Sequence, residues 1–67
     1  MELLKKFSQN LYVILKERKM TQKQFASLIG VSEPCVSKWL LMQREPGLTN
    51  IVKITKALNC TFEELID

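Results

Sequence analysis

The sequence predicts an all-α fold, five short helices in one small domain, and three observations carry that prediction. Apolar residues recur at three- and four-residue spacing, as in Leu4, Phe7, Leu11, Ile14 and Leu15. Two Thr-x-x-Gln/Glu sequences, Thr21 with Gln24 and Thr61 with Glu64, supply the reciprocal caps that mark helix starts. Only two prolines and two glycines interrupt 67 residues, and the hydrophobic fraction of 46% is that of a globular chain rather than a disordered one.

The first helix is predicted from about Leu3 to Arg18. Within it Leu11, Tyr12, Val13, Ile14 and Leu15 are apolar or aromatic in succession, and a single core takes only one helix face. Tyr12 and Val13 are therefore expected to point outward, where they could meet a partner. The cations Lys16, Arg18 and Lys19 suit the negative end of the helix dipole.

A second helix, about Gln22 to Leu28, starts at the N-cap Thr21, with Met20 and Phe25 as a hydrophobic staple. A third, about Glu33 to Leu41, starts at Ser32. Pro34 sits in its first turn, where a missing N–H is no loss, so Ser32 is expected to cap the N–H of Cys35. Val31 and Val36 form a second staple, and Gly30 can take the left-handed conformation that turns the chain between the two helices. Phe25, Ala26, Ile29, Val31, Val36 and Trp39 are expected to close a wedge-shaped core. That packing turns Glu33, Pro34, Ser37 and Lys38 outward.

After the loop Met42 to Gly47 comes a fourth helix, capped by Gly47 or Thr49, with Leu48, Ile51, Ile54 and Leu58 inward and Asn59 at its end. The box from Thr61 to Glu64, stapled by Cys60 and Leu65, opens a fifth helix docked by Phe62, Leu65 and Ile66.

Composition narrows the function. Net charge is +3, and residues 16–44 hold six cations (Lys16, Arg18, Lys19, Lys23, Lys38, Arg44) against Glu17 and Glu33. The last five residues hold Glu63, Glu64 and Asp67. A basic segment enclosing the helix pair suits an anionic partner, with the acidic end turned away from it. There is no histidine, and neither Cys35 nor Cys60 belongs to a spaced ligand cluster, so no metal or cofactor is expected. No serine or cysteine has an evident base, which argues against an enzyme. No apolar run reaches membrane-spanning length and the N-terminus lacks a signal-peptide core, so a cytoplasmic location is expected.

Thr21-Gln22, Phe25-Ala26, Gly30-Val31-Ser32, Val36-Ser37-Lys38-Trp39, the loop ending at Pro46, and the stretch from Ile51 through Asn59-Cys60-Thr61-Phe62-Glu63-Glu64-Leu65 together resemble the phage repressor and Cro family. The resemblance spans about Leu11 to Ile66. It implies a compact five-helix lambda-repressor-like domain occupying residues 1–67, with a helix-turn-helix at helices two and three, about residues 21–41. It also implies a sequence-specific transcriptional regulator, a repressor acting on double-stranded DNA as a homodimer. By position, Glu33, Pro34, Ser37 and Lys38 would face bases in the major groove, while Thr21, Gln22, Lys23, Gln43 and Arg44 would meet phosphates. The side-chain chemistry agrees: Lys38 can donate to guanine, Glu33 can accept from cytosine N4, and Pro34 can touch a thymine methyl. Glu33 equally suits the positive end of its own helix dipole.

Three departures from the family pattern stand out. Leu15 and Leu40 replace a common ion pair between helices one and three, and are expected to pack together. Met42 replaces the usual glycine after helix three, leaving that helix end open. Leu41 stands where a polar residue is common. With Tyr12, Val13 and Met42 it could form a protein-contact patch, and the alternative function is a protein-interaction module such as an antitoxin or adapter. Helix five with its preceding loop (by resemblance) and Tyr12 with Val13 (by exposure) are the candidate dimer surfaces.

Overall fold

Side chains that accept from orphan backbone donors mark where three of the helices begin. In the computed structural model, which describes residues 2–67, the helices are α1 (Glu2–Glu17), α2 (Gln22–Ile29), α3 (Glu33–Leu40), α4 (Leu48–Leu58) and α5 (Phe62–Ile66). Thr21 accepts from the Gln24 N–H at 3.0 Å while the Gln24 side chain accepts from the Thr21 N–H at 2.9 Å. The same reciprocal box joins Thr61 and Glu64 at 3.1 and 2.9 Å. Ser32 accepts from the Cys35 N–H at 3.3 Å, as the proline in that first turn requires. Gly47 caps α4 with no side chain to offer.

The first four helices end in one way. A residue at the C-cap or just past it turns left-handed, and two consecutive N–H groups bond back into the last turn, the arrangement of a Schellman motif. Gly30 does so at φ 75°, with its N–H on the Ser27 carbonyl at 3.3 Å and that of Val31 on the Ala26 carbonyl at 3.0 Å. Lys19, Met42 and Asn59 occupy the equivalent places at φ 55°, 60° and 52°. At the end of α3 the N–H of Met42 donates to Trp39 at 3.2 Å and that of Gln43 to Lys38 at 2.9 Å. A glycine-like helix end thus forms at Met42, with a β-carbon held in a conformation it disfavours.

One hydrophobic cluster joins all five helices: Phe7, Leu11 and Leu15 from α1, Phe25, Ala26 and Ile29 from α2, Val36 and Trp39 from α3, Ile54 and Leu58 from α4, and Leu65 from α5. Trp39 is its largest fully buried side chain, with the Phe7 ring edge-on to it at 6.5 Å. Truncating such a residue removes about 3–5 kcal/mol, comparable with the whole stability of a domain this size at about 3–10 kcal/mol.

Helix α1 and the residue that follows it also finish the ends of three other helices. The buried Ser8 hydroxyl donates to the Trp39 carbonyl of α3, Asn10 donates to the Leu65 carbonyl of α5 at 2.9 Å, and the Arg18 guanidinium donates to the Leu58 carbonyl closing α4. Arg18 therefore has a structural use beyond its charge. Burial pushes the Cys60 thiol above its usual value, Glu64 adds to the rise and Arg18 opposes it, so Cys60 stays neutral as a partly buried packing residue.

Two expectations about the core require correction. Leu48 is 86% exposed rather than inward: it is the first residue of α4, and the inward stripe starts one turn later at Ile51. Phe62 likewise stays out of the buried cluster at 41% exposed, because in the five-residue α5 burial falls on Leu65. Tyr12 and Val13 are exposed as expected, Leu15 is buried, and Leu40 is half-buried against the same cluster.

Met42→Gly should relieve the left-handed strain at the end of α3. Net of glycine's greater freedom in the unfolded chain, the gain should be about 0.5–1 kcal/mol, read as a rise in thermal midpoint of about 2–8 °C. A fall in midpoint would mean that the Met42 side chain contributes packing that outweighs the strain.

Candidate nucleic-acid interface

The inner side of α3 is committed to the core. Val36 is fully buried and Trp39 is 1% exposed, and because they lie three residues apart they define one face of a two-turn helix. Glu33, Pro34 and Lys38 are exposed on the remaining surface, with Ser37 half-buried beside them. Apart from the Gln22 side chain beside Ser37, this edge is open to solvent. The stripe offers carboxylate, pyrrolidine ring, hydroxyl and ammonium within one short rod.

At the neighbouring end of α2, the N–H groups of Gln22 and Lys23 have no acceptor within the helix, since the Thr21 box serves Gln24 and the Thr21 carbonyl serves Phe25. These free donors and the positive end of the dipole favour an anion. Thr21 accepts through its oxygen in the cap and keeps its own proton to donate. Lys23 is exposed, Gln22 half-buried.

The two sets meet at one point: the Ser37 hydroxyl donates to the Gln22 side-chain oxygen, linking the start of α2 to the middle of α3. Gln43 and Arg44 are exposed in the loop beyond α3, and the Gln43 N–H on the Lys38 carbonyl holds the start of that loop to the helix. Of the basic residues in 16–44, Lys23, Lys38 and Arg44 lie on α2, on α3 and in the loop after it, whereas Lys16 lies over the Tyr12 ring at 5.8 Å on α1. The acidic α5 packs chiefly on α1.

The Gln22–Ser37 bond escapes a reading of the sequence, because its partners are fifteen residues apart and nothing in their local spacing marks them as a pair. Ser8 was legible in principle: it stands four residues after Leu4 and three before Leu11, inside the apolar stripe. Among the described residues no group of His, Cys, Asp and Glu could hold a metal, and no helix is long and apolar enough to cross a membrane.

Comparisons with known proteins agree with this geometry. The chain is 30% identical over 60 residues to the uncharacterized HTH-type transcriptional regulator YqaE of Bacillus subtilis, covering 90% of this chain and 52% of that protein. It is 31% identical over 51 residues to repressor protein C2 of Salmonella phage P22, covering 76% of this chain and 24% of the repressor. It thus spans about half of the first relative and about a quarter of the second. Among solved structures it matches the restriction-modification controller protein C.AhdI from Aeromonas hydrophila with a TM-score of 0.85 and 32% identity, over 92% of this chain and 94% of that one. Residues 11–65 fit the sequence profile of the helix-turn-helix family, and with the corner at Gly30 and the open edge of α3 this places the chain in that family.

Proposed function

We propose that residues 1–67 act as one domain, a sequence-specific double-stranded DNA-binding transcriptional regulator that works as a cytoplasmic repressor by covering a promoter, without cofactor or catalytic chemistry. The observation that carries the reading is the division of α3, whose Val36 and Trp39 are buried while Glu33, Pro34 and Lys38 stay free. An α-helix with one such free edge fits a major groove about 12 Å wide. Glu33, Pro34, Ser37 and Lys38 then address bases, and Thr21, Gln22, Lys23, Gln43 and Arg44 anchor phosphates on either side. Relatives named as a repressor and a transcriptional regulator support it.

One small domain touches few base pairs, so the reading includes a homodimer on two half-sites. Its surface is an open apolar hollow of about 250 Å³ bordered by Leu3, Phe7, Pro46, Ile51 and Phe62, with the exposed Leu48 on its lip. A knob beside a hollow is self-complementary under a two-fold axis, each Leu48 entering the other copy's hollow. Domains measuring 27 × 23 × 22 Å, set side by side, suit half-sites one DNA turn of about 34 Å apart.

A second reading, a protein-interaction module, draws on the exposed Tyr12, Val13, Leu41 and Met42. Tyr12, Val13 and Met42, with Leu40 and the polar Gln9 and Asn10, border a separate shallow groove between α1 and the end of α3.

Affinity measured against salt separates the readings. A DNA binder loses affinity steeply, with a log–log slope near −0.9 per phosphate neutralised; salt-independent binding would favour the module. Lys38→Ala should cost about 1–3 kcal/mol and relax base preference at one position, whereas Arg44→Ala should weaken all sequences alike and flatten the slope by about one. Equal loss of base preference from both would put the reading edge in the wrong place. Leu48→Asp, which suits the first turn of a helix, should give a monomer in sedimentation and weaken two-half-site DNA while leaving half-site preference intact. A persistent dimer would exclude this surface.

A further inference from the structure

Serine read in isolation is ambiguous, because its hydroxyl can donate to one base and accept from another. Ser37 is not isolated. Its single proton goes to the side-chain oxygen of Gln22 across the α2–α3 corner, and that bond commits both partners. A hydroxyl that has given its proton keeps only acceptor lone pairs, and an amide whose oxygen is occupied presents chiefly its NH₂ donors.

We propose that the Gln22–Ser37 hydrogen bond makes Ser37 an acceptor-only base reader and turns the Gln22 amide NH₂ outward as a phosphate anchor. The base facing Ser37 is then selected for an exocyclic amino group, adenine N6 or cytosine N4, while Gln22 Nε2 holds a phosphate oxygen. Guanine and thymine turn only acceptors toward Ser37 in the major groove and meet lone pair with lone pair. The inference rests on the DNA-reading function proposed above and adds a rule to it.

The neighbouring side chains extend that rule along α3. Glu33 lies four residues before Ser37, so the helical repeat sets the two on the same side, and its carboxylate is also acceptor-only. Lys38, one residue on, is donor-only and exposed. The free edge thus carries two acceptors and a donor of fixed polarity. A residue placed on the phosphate side, Gln22, therefore controls a base preference.

Selection of duplexes from a random library with the full chain tests this, using wild type, Ser37→Ala, Ser37→Thr and Gln22→Ala, each checked for folding by thermal unfolding. Wild type should favour adenine or cytosine at one position on the strand facing Ser37 by about three- to tenfold, the range of one neutral hydrogen bond. Ser37→Ala should erase that preference and Ser37→Thr keep it. Gln22→Ala should lower affinity for every duplex and, with the hydroxyl free to turn, admit guanine or thymine at the same position. Replacing the selected adenine by purine, or cytosine by 2-pyrimidinone, should cost wild type the same factor and Ser37→Ala nothing. Gln22→Ala with an unchanged preference profile would overturn the inference, as would a Ser37-dependent position that selects guanine or thymine. Preference at the Lys38 position with none at Ser37 would overturn the inference alone. A wild type with no preference anywhere would overturn the DNA-reading function and this inference with it.

Discussion

A helix of eight residues has almost no stability of its own, so the direction in which α3 points is set by what grips its inner face. That grip is the burial of Trp39. Its ring meets the edge of Phe7, its carbonyl takes the Ser8 hydroxyl, and its neighbour Val36 fills the wedge against α2. With the left-handed Gly30 turning the chain between α2 and α3, α3 is fixed at both its start and its inner side. What remains outside is the edge carrying Glu33, Pro34, Ser37 and Lys38. The presenting of that edge is therefore a consequence of core packing in α1 and α2, elements that hold most of the buried cluster and none of that edge.

Much of this was legible in the sequence because it is local. The Thr21 and Thr61 boxes, the Ser32 cap next to Pro34, the turns at Gly30 and Asn59, and the outward Tyr12 and Val13 all follow from interactions within about four residues. Features that depend on distant partners or on an element's edge were less accessible. Leu48 fits the inward spacing of α4, yet the core does not reach the first turn of that helix, so periodicity misplaces it. Left-handed ends at Lys19 and Met42 are invisible to a rule that looks for glycine or asparagine, because there the closing hydrogen bonds impose the conformation on an unfavourable residue. The candidate base-facing and phosphate-facing residues follow from helical register and resemblance, whereas the bond that joins Ser37 to Gln22 does not.

Charge and apolar exposure divide the molecule in a consistent way. Lys23, Lys38 and Arg44 sit on or just beyond the helix pair, while the acidic residues of α5 lie on an element packed mainly against α1. Leu3, Leu48 and Phe62 border one hollow at the starts of α1 and α4 with α5, and Tyr12, Val13 and Met42 border another between α1 and the end of α3. Neither hollow lies on the free edge of α3. A small domain can in this way reserve separate surfaces for an anion and for another protein, with α1 as the frame common to both.

Titration of the isotope-labelled chain with a selected duplex, followed by amide chemical shifts, tests most directly whether the open edge of α3 is the surface that meets DNA. The largest changes should fall on the start of α2, along α3 and at Gln43 and Arg44, with α5 nearly silent apart from dimer contacts. Changes concentrated on Tyr12 and Val13 or on the acidic α5, with Glu33 to Lys38 unmoved, would contradict the account.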